Sequence, residues 1–118
     1  MSKVEHPAIL NVVQYLQHQG FRITYLPVDG QGVVQVDDLE EIITSKTILV
    51  SVMHANNEIG SLQPIDELAE IAHTAGAVFH TDAAQSVGKI PVDVSDLDCD
   101  LLSVAGHKLY APKGVGAI

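Results

Sequence analysis

The apolar positions of this chain follow two periods, and the two alternate along it. From Pro7 onward, Ala8, Val12 and Leu16, with Ile9, Val13 and Tyr15 beside them, recur at the spacing that keeps one side of a helix apolar. Pro7 suits the first helical position, where its missing N–H has no partner to lose, and Gly20 is a stop signal. Phe21–Leu26 then alternates and is rich in β-formers, a strand pattern closed by Pro27. Asp29-Gly30-Gln31-Gly32 is a turn. Asp37, with Glu40 three residues on, has the form of a helix start and predicts a short helix over Asp38–Thr44.

The second half repeats the alternation. Thr47–Met53 is almost continuously apolar and predicts a core strand. Ile65, Leu68, Ala69, Ile71, Ala72 and Ala75 predict an amphipathic helix opened at Pro64 and Asp66 and ended by Gly76. Ala77–Thr81 and Leu101–Ala105 predict two further buried strands, separated by an acidic connector over Ile90–Asp100. Gly114–Ile118 predicts a last strand. Strands alternating with helices at this spacing mean an α/β fold with a mainly parallel sheet and flanking helices, undivided across residues 1–118.

Composition narrows the core more than the class. Hydrophobic residues make up 47%, which excludes a disordered chain, and aromatics only 4%, so aliphatic side chains and alanine must fill the interior. The formal net charge of -9 argues against non-specific nucleic-acid binding and against an anionic membrane surface. The lone cysteine, Cys99, excludes an intrachain disulfide and a cysteine-based zinc site. It lies between Asp98 and Asp100, acids that raise a thiol pKa, so a structural role is expected. No apolar run reaches spanning length and the N-terminus has no signal-peptide core, so a cytoplasmic protein is expected. The first residues lead almost at once into a helix signal and the last lie in a strand pattern, so the chain reads as a fragment of a larger protein.

Candidate chemistry gathers after the predicted strands. Asn56-Asn57-Glu58 follows the first core strand, Asp82 and Gln85 the next, and His107-Lys108 the third. In open α/β sheets ligands sit at the carboxyl ends of strands, so these clusters can share one crevice. Asp82 is open to two readings: a partly desolvated carboxylate that wants a cationic or N–H partner, or a turn-capping acid. Lys108 is either a solvent-facing lysine or an amine made nucleophilic by desolvation at a strand mouth. The six histidines show neither H-x-x-x-H nor H-E-x-x-H spacing among His54, His73 and His80, so no metal site is expected. His18 and His73 fall on predicted helices, at the surface. Neither glycine-rich phosphate motif is present.

Taken together, Glu5-His6-Pro7-Ala8-Ile9-Leu10, the V-S-V-M-H-A-N-N-E-I-G block, the H-T-D-A-A-Q-S-V-G-K block and the G-H-K-L-Y-A-P-K-G-V-G-A-I block resemble the cysteine desulfurases of the NifS/IscS kind. Those are pyridoxal 5'-phosphate (PLP) enzymes of the class V aminotransferase family, with the type I fold. The blocks come in the family's order and cover almost the whole chain. The resemblance implies that residues 1–118 are a fragment of the large, cofactor-binding domain. It implies that Lys108 is the lysine that forms a Schiff base with PLP and that Asp82 pairs with the pyridinium nitrogen. Gln85 and Asn57 match residues that hydrogen-bond the 3-hydroxyl side of the ring. His6 matches the histidine that stacks on the ring and helps proton transfer, so the catalytic pair would be Lys108 and His6. His107 matches a phosphate-site residue. Two departures stand out: Ala105 replaces the serine that holds the cofactor phosphate, and Ala111 replaces a glycine.

The implied function is desulfuration of L-cysteine to L-alanine, with sulfur passed to an enzyme cysteine as a persulfide for Fe–S cluster or thiocofactor synthesis. Implied partners are a second copy in a homodimer and sulfur-acceptor or scaffold proteins. The family's catalytic cysteine lies on a loop beyond G-H-K. Cys99 precedes G-H-K and is not that residue, so the 118 residues alone are expected to show little or no turnover. Selenocysteine lyase, or another class V enzyme, is the alternative within the same chemistry. A non-catalytic α/β binding module is the alternative outside it, supported only by Ala105 and the shortness of the chain.

Overall fold

The apolar strands form a four-stranded sheet of order β1-β2-β3-β4 that helix packing covers only in part. Leu101–Ala105, expected as a buried strand, holds no fully buried residue, because the covering helix packs on the two strands before it in the sheet. The computed structural model describes residues 1–118. Strands β1 (Leu49–Ser51), β2 (Val78–Asp82) and β3 (Leu101–Ala105) run parallel, with Ser51 opposite His80 and Asp82 opposite Ser103. Strand β4 (Gly116–Ala117) pairs antiparallel with β3. The α/β class and the mainly parallel sheet expected from the sequence are therefore present.

Helix α3 (Ile65–Thr74) lies on the side of the sheet that carries Val50, Val52 and Phe79. Its inner face is Ile65, Leu68, Ala69 and Ala72, all fully or almost fully buried. The two alanines let the helix approach the strands closely, and Phe79 supplies the bulk. Leu26, Val34 and Leu39 complete this core from the first half of the chain. Gln63 fastens that half: its amide donates to the Gly32 carbonyl (2.8 Å) and accepts from the Val34 N–H (2.8 Å), so a buried polar side chain is satisfied at both ends.

Three other expectations shift. Phe21–Leu26 is not a strand; it makes one parallel bridge, Ser2 with Leu26, because its only neighbour is the short segment Met1–Lys3 that lies between it and Ser51. Alternation gives a face to bury, but a ladder also needs a partner of matching length. Helix α2 spans Val36–Ile42, with Gln35 rather than Asp37 at its cap. Asp37 and Asp38 sit in its first turn, where carboxylates favour the helix N-terminus. The Ile90–Asp100 connector contains a short helix, α4 (Val94–Leu97), capped by Asp93, whose carboxylate accepts from the Ser95 N–H (2.8 Å).

Helix α1 (Pro7–His18) starts and stops where Pro7 and Gly20 indicate, yet it buries none of its residues; Val12 and Tyr15 are 55% and 63% exposed. No helix is long and apolar enough to cross a membrane.

Candidate active site

The strand period determines which side chains face α3 and which face away. Val50, Val52, Phe79 and Thr81 face the core, so Ser51, His80, Asp82 and Ser103 share the opposite face. A cavity of about 320 Å³ opens on that opposite face, at the carboxyl ends of the strands. His6, Asn57, Asp82, Gln85, His107 and Lys108 all line it, together with Ser103, Ala105 and apolar groups such as Ile9 and Met53. Residues spread over a hundred positions of sequence thus converge on one crevice.

Each is placed by an identifiable local device. His6 is the N-cap of α1, and its Nδ1 accepts from the Ala8 N–H (3.1 Å). An accepting Nδ1 leaves the imidazole proton on Nε2. The paired asparagines divide their work. Asn56 builds the loop, donating to the Val4 carbonyl (2.9 Å) and accepting from the Glu58 and Ile59 N–H groups (2.8 and 3.1 Å), which leaves the more exposed Asn57 at the cavity. Asp82 ends β2, and its Oδ1 accepts from the Ala84 N–H (2.9 Å). The turn-capping bond is present, and the residue also lines the cavity. Gln85 lines the cavity and also accepts from the Lys89 ammonium (2.7 Å).

The G-H-K segment is a single 3-10 turn, Gly106–Leu109, that follows β3 directly. Gly106 is needed there because a Cβ would stand 2.6 Å from the Val115 carbonyl oxygen and 3.2 Å from the Ala111 methyl. The Gly106 N–H donates to that same carbonyl (2.9 Å), which pins the turn to the segment before β4. His107 and Lys108 are thereby presented at the cavity mouth. Lys108 is half-buried and takes part in neither of the chain's ion pairs, both of which belong to His73.

Sequence reasoning passed over the groups beneath this surface. Glu5 is buried, and its Oε1 accepts from the Ser2 hydroxyl (2.5 Å) and the Met53 N–H (2.8 Å), while Oε2 has no partner. Burial pushes its carboxyl above the ordinary range; the bonds from Ser2 and Met53 pull the other way. Glu5 thus staples the start of α1, and with it His6, to the end of β1. His54 is buried with an unpartnered Nδ1, and desolvation holds it below its usual pKa. His80 bridges two serines across the sheet, at 2.8 Å to each. The only advance signal for His54 and His80 was their place beside polar clusters in otherwise apolar runs; Glu5, in Ser2-Lys3-Val4-Glu5-His6, had none.

Cys99 does not line the cavity; it packs against the core, and burial first, then Asp100 and Asp98, raise its thiol pKa. No group of three or more His, Cys, Asp or Glu side chains is arranged to hold a metal ion.

The donor set suits a phosphorylated pyridine aldehyde: a carboxylate for a ring nitrogen, a half-buried amine for a carbonyl carbon, amides and imidazoles for the remaining polar edges. Ala105 is the weak point, since it lines the cavity without a hydroxyl.

The chain is similar to known proteins along almost its whole length. The profile of the aminotransferase class-V family matches residues 1–118. The chain is 53% identical over 117 residues to a cysteine desulfurase IscS of Clostridium botulinum and 56% identical over 117 residues to one of Dictyoglomus turgidum, covering 99% of this chain and 30% of each relative. A mitochondrial cysteine desulfurase of Drosophila melanogaster is 50% identical over 117 residues, covering 99% of this chain and 25% of its own length. Among solved structures, SspA in complex with cysteine superposes with a TM-score of 0.92 at 43% identity, over 98% of this chain and 33% of that one. A NifS-like protein superposes with a TM-score of 0.91 at 42% identity, over 96% of this chain and 32% of that one. The chain spans about 30% of the length of the curated relatives it matches. Through a profile match along its whole length, and with the type I fold of its structural neighbours, this chain belongs to the aminotransferase class-V family.

Proposed function

We propose that this chain is a segment of the large, cofactor-binding domain of a PLP-dependent cysteine desulfurase. The observation that carries the reading is the convergence of Asp82, at the end of β2, and Lys108, in the turn after β3, on one cavity. Bound there, PLP would supply an electron sink for bonds made and broken at the α- and β-carbons of an amino-acid substrate.

The protein's own part is grip and proton handling. Asp82 offers a carboxylate for the ring nitrogen, a charge-assisted bond that keeps that nitrogen protonated. Lys108 supplies the amine that attaches the cofactor and can then carry a proton at Nζ. His6, with its proton on Nε2, presents a flat imidazole at the cavity and a second site for proton transfer. Asn57 and Gln85 offer amides for the ring hydroxyl, and His107 a donor for the phosphate. Catalytic roles thus fall to Lys108 and His6, and cofactor binding to Asn57, Asp82, Gln85, His107 and Lys108.

L-cysteine as substrate is supported by the names of the relatives and by the neighbour solved with cysteine. The sulfur would pass to a cysteine other than Cys99, which lies away from the cavity. A homodimer, sulfur-acceptor proteins and a cytoplasmic location complete the reading; mitochondrial relatives mark the other location open to the family.

The test is to add PLP, reduce with borohydride and locate the adduct by mass spectrometry. A pyridoxyl group on Lys108, lost in Lys108→Ala, is the expected result. An adduct spread over Lys46, Lys89 and Lys113 in the full-length protein would sink the reading. Sulfide release from cysteine by these 118 residues alone is expected to stay at the level of the Lys108→Ala chain.

A further inference from the structure

One polar row crosses the sheet directly beneath the cavity and has no part in the roles above. Ser51 of β1, His80 of β2 and Ser103 of β3 lie on the same sheet face as Asp82. Ser51 Oγ is 2.8 Å from His80 Nδ1, and His80 Nε2 is 2.8 Å from Ser103 Oγ. Ser51 and His80 are buried, whereas Ser103 reaches the cavity wall. The row therefore has a closed end in β1 and an open end in the site.

We propose that Ser51, His80 and Ser103 form a hydrogen-bonded crossbar that holds the Ser103 hydroxyl at the cavity wall as a donor beside Asp82, with His80 as a positioning residue for the cofactor. This rests on the reading of the cavity as a PLP site.

Two directions of donation are open to such a row. In one, the Ser51 hydroxyl donates to Nδ1 and the Nε2–H donates to Ser103 Oγ, so the Ser103 proton points onward. In the other, every donor is reversed. Asp82 decides between them. It is two residues from His80 on the same strand face and stands opposite Ser103, so its negative charge favours the arrangement whose positive ends point toward it. Burial holds His80 below its usual pKa, the Asp82 charge opposing, which keeps the ring neutral and able to accept at Nδ1. A neutral crossbar gives the site a fixed donor without a second positive charge to compete with a ring nitrogen for Asp82.

Two measurements test this. In the cofactor-free chain, nitrogen NMR of His80 should show a single neutral tautomer, pyridine-like at Nδ1 and pyrrole-like at Nε2. The reverse tautomer, or an averaged pair, overturns the proposal. PLP affinity, read from the visible absorbance on titration, should fall roughly fivefold in Ser103→Ala, the weight of one neutral hydrogen bond. His80→Phe and Ser51→Ala should weaken it comparably although Ser51 does not touch the cavity, and the pair Ser51→Ala/Ser103→Ala should be no weaker than Ser103→Ala alone. Unchanged affinity in these variants, with only a lowered melting temperature, would mean that the row serves the fold alone and would overturn the proposal. Should the full-length protein form no Lys108 adduct, the PLP reading falls and takes this one with it. An intact adduct with unchanged variant affinities removes this one only.

Discussion

The two faces of one sheet have opposite characters here. Toward α3 the strands present Val50, Val52 and Phe79, all at most 3% exposed, against Leu68, Ala69 and Ala72. Toward the cavity side the same strands present Ser51, His80, Asp82 and Ser103, with His80 hydrogen-bonded to both serines and Asp82 to the Ala84 N–H. One-residue steps along β1 and β2 separate the two sets. The first face gains its stability from area removed from water and tolerates any shape that fills it. The second gains little from area and depends on particular donors and acceptors, each costly if left unpaired. Stability and chemistry are therefore separable by substitution, and the following expectations test that separation.

The largest effect belongs to the apolar face. Phe79→Ala should destabilise the chain by about 3–5 kcal/mol, read by urea denaturation, since the ring is fully buried in the core. A loss below about 1 kcal/mol would show that α3 does not seal this face. Asp82→Asn should do the reverse. It keeps an oxygen for the Ala84 N–H, so unfolding free energy should move by less than about 1 kcal/mol. PLP affinity should nevertheless fall roughly tenfold or more with loss of the charge-assisted bond. Equal loss in both quantities would break the distinction between the faces.

Glu5 lies at the seam between them. Its carboxyl holds a proton to higher pH in the fold than the ordinary value of 4.5. Between those two values the folded chain binds the extra proton. The stability this group contributes is thus full below 4.5 and declines as pH rises through the raised value. Glu5→Gln carries no charge at any pH. It should flatten the fall in melting temperature as pH rises from 4.5 through the raised value. A steeper fall in the variant would mean that the ionised form of Glu5 is the one the fold stabilises, the reverse of this sign.

The smallest effect lies outside both faces. His73 of α3 contacts Asp100 (2.9 Å) and Asp98 (3.4 Å), and the hydrogen bond to Asp100 raises its pKa above the usual 6.5. Asp100 is held below the usual carboxylate range by the Phe79 N–H and by His73. The His73 contribution is complete below pH 6.5 and is lost as pH rises through the raised value; that of Asp100 is present above 3.8 and lost as pH falls. Solvent screening limits the pair, so His73→Ala should cost under about 1 kcal/mol at pH 6 and less at pH 9, by chemical denaturation at the two pH values.

Periodicity alone determined much of this protein. The α1 and α3 helices, the three parallel strands and the stops at Gly20 and Gly76 follow from apolar spacing and backbone chemistry, which act within a few residues. The polar clusters after each strand were equally plain, since a carboxylate or an amine interrupting an apolar run is visible in one dimension. What the tertiary structure decided was partnership. Phe21–Leu26 has a strand's alternation but no ladder, because Met1–Lys3 is its only neighbour. The roles of Glu5, His80 and Ser103 exist only across contacts 48, 29 and 23 residues apart in sequence. Hydrogen bonds between distant segments depend on sheet register, and register is set by the whole core rather than by any stretch of the chain.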